Sequence, residues 1–174
     1  MKRTIVLFGL ISGAISSAMM LATAPFAGAI GSRAEIVGYT TLVLSFMLVY
    51  FGVRAYRDRQ GGGSIGFGRA MALGTLITVV SSLCYVITWE AAYFTFEHGF
   101  IDSYASMQLK MAQDAGATAA ALDEKRRELA SFKTLYDNPL YNAAITFTEP
   151  FPVGMVITLI SAFALSRKRR PAAQ

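Results

Sequence analysis

Residues 70–89 read AMALGTLITVVSSLCYVITW, twenty positions without a charge, entered through Arg69 and left through Glu90. A helix rises about 1.5 Å per residue, so twenty residues cross roughly 30 Å, the thickness of a bilayer's hydrocarbon core. Three more charge-free runs flank this one: Thr4–Ser32 (29 residues), Ile36–Val53 (18) and Pro150–Ser166 (17). The whole chain is 54% hydrophobic and only 16% charged, where a soluble domain carries about a quarter charged residues. These patterns predict an all-α protein: a four-helix transmembrane bundle forming one membrane domain over 1–174, with spans near 4–26, 36–54, 69–95 and 139–166. Between the third and fourth spans lies the one sizeable polar piece, residues 97–138, which we read as an extracytoplasmic helical hairpin.

Within that insert Phe100, Tyr104, Met107 and Met111 recur at helical spacing, and Asp114-Ala115-Gly116 interrupts them. Thr118 is placed to cap a second helix whose apolar face carries Leu122, Leu129, Phe132 and Leu135. Asn138-Pro139 then opens the last span, with proline in the first turn, where its missing N–H is harmless.

The first apolar run imitates a secretory signal, with Lys2-Arg3 before it and Ala22-Thr23-Ala24 after it. Thr4 to Ala24 is already 21 residues, however, longer than the roughly 7–15 of a signal core. Gly9, Gly13 and Ser17 also repeat every four residues, a small-residue stripe that lets membrane helices approach closely. The expectation is a retained helix whose packing residues are Gly9, Gly13 and Ser17.

Orientation follows from Lys and Arg near the span ends. One side collects Lys2, Arg3, Arg54, Arg57, Arg59, Arg69, Arg167, Lys168, Arg169 and Arg170 against Asp58 alone. The other holds six basic residues outnumbered by acids, so both termini are expected in the cytoplasm. Trp89 and Tyr93 at the outer end, with Arg54, Arg57 and Arg167–Arg170 at the inner end, are the expected interface anchors. The bilayer is therefore the first partner, a membrane protein or a second copy is a further one, and nucleic acid is not expected despite the net charge of +5.

One Cys and one His exclude a disulfide framework, a CxxC redox pair and a single-chain zinc site. Gly61-Gly62-Gly63 and Gly66-Phe67-Gly68 lack the Lys-Ser/Thr of a phosphate loop and read as a turn between antiparallel helices. No catalytic motif occurs, so neither enzyme activity, cofactor nor resident metal is expected. Ser12, Ser16, Ser17, Thr75, Thr78, Ser81 and Ser82 read as interhelical hydrogen-bonding groups.

The candidate polar site is Glu90 and Glu149. Glu90 lies 21 residues beyond Arg69 and Glu149 lies 18 before Arg167, so both reach similar height near the outer interface. Pro150 and Pro152 follow directly and predict a kink or break in the last span. Two carboxylates at one level can face headgroups, join a hydrogen-bonded cluster or hold an ion. A metal site drawn from Glu90, Glu149 and His98 is the weakest of these.

The strings Tyr56-Arg57-Asp58, Gly61 to Ala70, Tyr85 to Glu90, Asn138-Pro139-Leu140 and Phe147 to Gly154 together resemble a family of small bacterial membrane proteins, domain of unknown function 4199 (DUF4199), over about residues 5–168. The resemblance implies a four-span inner-membrane protein with a helical extracytoplasmic insert, and it supplies no activity or site residues. The functional expectation is a non-enzymatic accessory or scaffold protein; the rival is a small oligomeric transporter or channel using the Glu90/Glu149 level and the proline break.

Overall fold

The computed structural model describes residues 1–23, 33–95 and 99–166. Seven helices occur among them: α1 (Lys2–Thr23), α2 (Arg33–Arg59), α3 (Phe67–Thr95), α4 (Phe100–Asp114), α5 (Ala119–Tyr136), α6 (Pro139–Phe147) and α7 (Pro150–Ser166). They account for 89% of the described residues, which contain no strand. Four stretches are long and apolar enough to cross a membrane: Lys2–Thr23, Ile36–Arg59, Phe67–Thr95 and Pro139–Ser166.

α3 is the organising helix. It packs along α1 on one side and α7 on the other, while α2 closes the square against α1 and α7. The bundle carries large apolar residues outward, among them Leu44, Ile87, Val156, Ile160 and Phe163, and buries Phe46, Val49, Val53, Leu73 and Ile77. Small hydroxyl residues are buried with them: Ser12, Ser16, Ser45, Thr78, Ser81, Ser82, Thr158 and Ser161. That inversion suits a bilayer, where lipid gives no advantage to hiding leucine and small residues let helix backbones come close.

The α1 stripe is used inside the chain. A Cβ on Gly9 would stand 2.7 Å from Val80 Cβ, and one on Gly13 would stand 2.6 Å from Cys84 Cβ. The two glycines therefore form the seat of α1 on α3, and Ser17 is buried one turn above them. Ser12 donates to the Ser45 carbonyl at 2.9 Å and accepts from Ser81 at 3.1 Å, tying α1 to α2 and α3 at one level. Thr78 and Thr158 share a buried hydrogen bond at 3.1 Å, and Thr75 donates to the Met155 sulfur at 3.7 Å. Ser16 instead bonds the Gly13 carbonyl of its own helix, and Ser17 and Ser82 have no partner among the described residues.

The α2–α3 turn is made by Gly62 and Gly63 at φ +59° and +83°, a region that side-chain-bearing residues avoid. The Met1 amino group donates to Gln60 Oε1 at 2.8 Å, which puts the start of α1 and this turn at the same end of the bundle. Arg54 is half-exposed there, 3.6 Å from Asp58. Arg57, at the same end, is more enclosed than Arg54. It folds inward to 9% exposure, with Nε donating to Asp58 Oδ1 at 2.8 Å, and its carbonyl receives the N–H groups of Gly61 and Gly63. Arg167–Arg170 and His98, both named from the sequence, lie outside the described residues.

Candidate functional site

The last span breaks where the prolines predict. α6 ends at Phe147, Thr148 and Glu149 form a turn, and Pro150 starts α7. The cause lies in the backbone: the carbonyls of Thr146 and Thr148 would normally accept from the fourth residue onward, and those residues are Pro150 and Pro152, which have no N–H. The Thr146 carbonyl takes the Glu149 N–H instead, at 3.3 Å. The break thus places a carboxylate, Glu149, beside backbone oxygens in the upper part of the bundle.

Tyr85 on α3 reaches across and donates its hydroxyl to Glu149 Oε2 at 3.2 Å. One turn further out Trp89 Nε1 donates to the Tyr136 hydroxyl at 2.9 Å, and Tyr93 donates to Asp137 Oδ1 at 2.8 Å. α5 therefore ends directly on α3. From below, Asn142 Nδ2 donates to the Tyr136 carbonyl at 3.2 Å and accepts from Thr146 at 3.1 Å on its Oδ1. Asn142 is fully buried, so the N-terminal turn of α6 is fixed against the end of α5. Asn138 caps α6 with Pro139 in its first turn, and Thr118 caps α5, as the sequence suggests.

Aromatic rings fill the space around these bonds. Phe100 meets Trp89 edge-on at 4.8 Å, Tyr136 meets Tyr93 edge-on at 5.3 Å, and Phe132 lies 5.3 Å from Tyr136. Trp89 and Tyr93 are each only 6% exposed. They hold α4 and α5 to the bundle, a role that amphipathic spacing at a span end does not distinguish from interface anchoring.

Glu90 is half-buried, its Oε1 enclosed and without a hydrogen bond among the described residues. Glu149 is exposed on one side of the break. Among the described residues no hydrogen bond joins the two carboxylates. Burial raises the Tyr136 hydroxyl above its ordinary pKa of 10.0, the nearby Glu149 and Glu90 push it the same way, and Thr146 and Trp89 beside the oxygen pull it back. Among the described residues there is no group of three His, Cys, Asp or Glu placed to hold a metal ion.

Tyr85, Tyr136, Asp137, Asn142 and Thr146 complete this cluster and were not candidates from the sequence. A tyrosine or asparagine carries no signal until the partner helix is known; the sole hint was that Tyr136, Asp137 and Asn142 fall within about one turn of Asn138-Pro139. An open apolar groove of about 510 Å³ lies separately on α2, lined by Ile36, Tyr39, Thr40, Val43 and Leu44.

The four long apolar helices and the polar cluster at one end of them place the chain in the class of small helical membrane proteins. More particularly, a family model described as Protein of unknown function (DUF4199) matches residues 7–167, nearly the whole chain, and the protein belongs to that family. No curated protein and no solved structure matches.

Proposed function

We propose that the protein is a non-enzymatic accessory or scaffold protein of the bacterial cytoplasmic (inner) membrane. In this reading it spans the bilayer four times with both termini in the cytoplasm and presents α4 and α5 outside. The observation that carries the reading is the rigid attachment of α5: Trp89 to Tyr136 at 2.9 Å, Tyr93 to Asp137 at 2.8 Å and Asn142 to Tyr136 at 3.2 Å. A flexible linker needs no such fastening; a presented surface does. α5 offers an exposed face of alternating charge, with Arg126 on Asp123 at 2.6 Å and Lys125 on Glu128 at 3.2 Å, and Lys133 bonds across to Asp102 of α4. The same reading has the bilayer as constant partner, a membrane protein or a second copy as specific partner, and no nucleic acid.

Affinity capture of the tagged protein from native membranes in mild detergent, quantified by mass spectrometry against a tag-only control, tests this. A stoichiometric partner lost on disrupting the α5 charges is the expected result; recovery of the protein alone or as a homo-oligomer counts against it. A second reading, a small oligomeric transporter or channel, is favoured by one feature, the break at Thr148–Glu149 with Glu90 at the same end. Flux into liposomes that disappears in Glu149→Gln would select it.

A further inference from the structure

We propose that the α6–α7 break holds a sodium-sized monovalent cation between Glu149, Ser82, the Tyr85 hydroxyl and the Thr148 carbonyl, whose helical donor position is taken by Pro152. The argument starts from register. Gly74 of α3 faces Thr158, and Thr78, four residues on, faces Gly154, four residues back along α7. Continued by four residues, this register sets Ser82 at the level of Pro150, the first residue of α7. Thr75 and Thr78 both point at α7, through Met155 and Thr158, and Ser82 falls between their directions on the helical wheel. Ser82 is 0% exposed and its Oγ has no hydrogen-bond partner among the described residues, whereas Thr78 below it and Tyr85 above it are both paired.

Pro150 at the level of Ser82 offers no N–H, and the Thr148 carbonyl has lost its donor to Pro152. The register and the break bring oxygens to this level: the Glu149 carboxylate with the Tyr85 hydroxyl bonded to it, the unpartnered Ser82 hydroxyl and the Thr148 carbonyl. Such a set suits a hard cation, and a single carboxylate balances one positive charge. The absence of a second acid within hydrogen-bonding reach of Glu149 among the described residues argues against a divalent ion, and the exposed side of Glu149 gives the ion its way in. A buried hydroxyl without a partner costs roughly 1–3 kcal/mol, so a ligand that takes up the Ser82 lone pair is favoured. The inference deepens the transporter reading by naming the ion and its ligands, but binding stands whether or not the ion is carried across, and the two are measured separately.

Trp89, the sole tryptophan, lies one turn beyond Tyr85 and reports on the site. The full chain in phosphatidylcholine nanodiscs is titrated with NaCl against choline chloride at constant ionic strength, and Trp89 emission is followed. The expected result is a saturable response to sodium and none to choline. Ser82→Ala should raise the half-saturating sodium concentration at least ~10-fold, Glu149→Gln should abolish the response, and Ser106→Ala, a hydroxyl removed from exposed α4, should leave it unchanged. If Glu149→Gln does not fold, Ser82→Ala decides, since it removes one oxygen and nothing else. No saturable wild-type response, equal half-saturation in wild type and Ser82→Ala, or a pH response that sodium does not shift each overturn the proposal. A sodium response without sodium flux in liposomes keeps the site and removes the transporter.

Discussion

Gly13→Ala is the sharpest test of how the bundle is held. The added methyl would sit 2.6 Å from Cys84 Cβ, 3.1 Å from its Sγ and 3.2 Å from the Ser81 carbonyl. Carbon atoms pack at about 3.5–4.0 Å, so α1 has to retreat from α3 by roughly 1 Å. The nearest obstacle is a Cβ carried by a helix, which no side-chain rotation moves. Overpacking of this kind costs about 1–3 kcal/mol, a factor of roughly 5–150 in the folding equilibrium. The retreat also strains the bonds that Ser12, the residue before Gly13, makes to the Ser45 carbonyl and accepts from Ser81. Cys84 is the sole cysteine and is half-buried, so a thiol-reactive fluorophore reads the separation of α1 from α3 directly during thermal unfolding in detergent. Gly13→Ala should label faster and melt lower than wild type, while Gly38→Ala, where a Cβ meets nothing within 4 Å, should match wild type or exceed it slightly. Equal labelling and melting in Gly13→Ala and wild type would refute the close seat of α1.

Other consequences follow from the same contacts. Trp89→Phe removes the indole N–H donor to the Tyr136 hydroxyl at a cost of about 0.5–1.5 kcal/mol, and trypsin should cut α5 at Lys125–Arg127 sooner than in wild type while the spans stay intact. In a double-mutant cycle on Thr78→Val and Thr158→Val, the coupling should be about 0.6 kcal/mol and below about 1.7, the range of hydrogen bonds between membrane helices; zero coupling would mean the 3.1 Å pair contributes nothing. Alkaline stability has a definite sign. Tyr136 is raised above its ordinary 10.0 by burial, so its contribution is complete below pH 10.0 and is lost as pH rises from there through the folded-state value, because the unfolded chain releases that proton first. Tyr136→Phe should flatten the melting temperature against pH in that alkaline window, and an unaltered slope would count against the buried phenol.

Charge spacing made the spans legible, since nothing else produces four runs of this length in so short a chain. The prolines made the break legible, and the caps at Thr118 and Asn138 were readable because capping is local chemistry within four residues. The site was half-visible. Glu149 and its prolines stand out in the sequence, but the partners that define its surroundings do not. Tyr85 lies 64 residues away and Tyr136 lies 47 from Trp89, and only helix packing brings them together. At Arg57 the sequence showed a basic residue at a span end but not its partner: beside the tight Gly61–Gly63 turn it is buried and bonded to Asp58. For Trp89 and Tyr93 the sequence could not show the partners, since an aromatic belt and an aromatic clamp have the same spacing and differ only in what lies opposite.

The central claim is the arrangement in the bilayer, with α4 and α5 on the side opposite the α2–α3 turn. In a Cys84→Ser background, Gln113→Cys at the exposed end of α4 and Ser64→Cys in the exposed turn are labelled in intact cells with a membrane-impermeant maleimide. The account predicts labelling of Gln113→Cys in intact cells and of Ser64→Cys only after permeabilisation. Labelling of both from outside, or of Ser64→Cys alone, would contradict it.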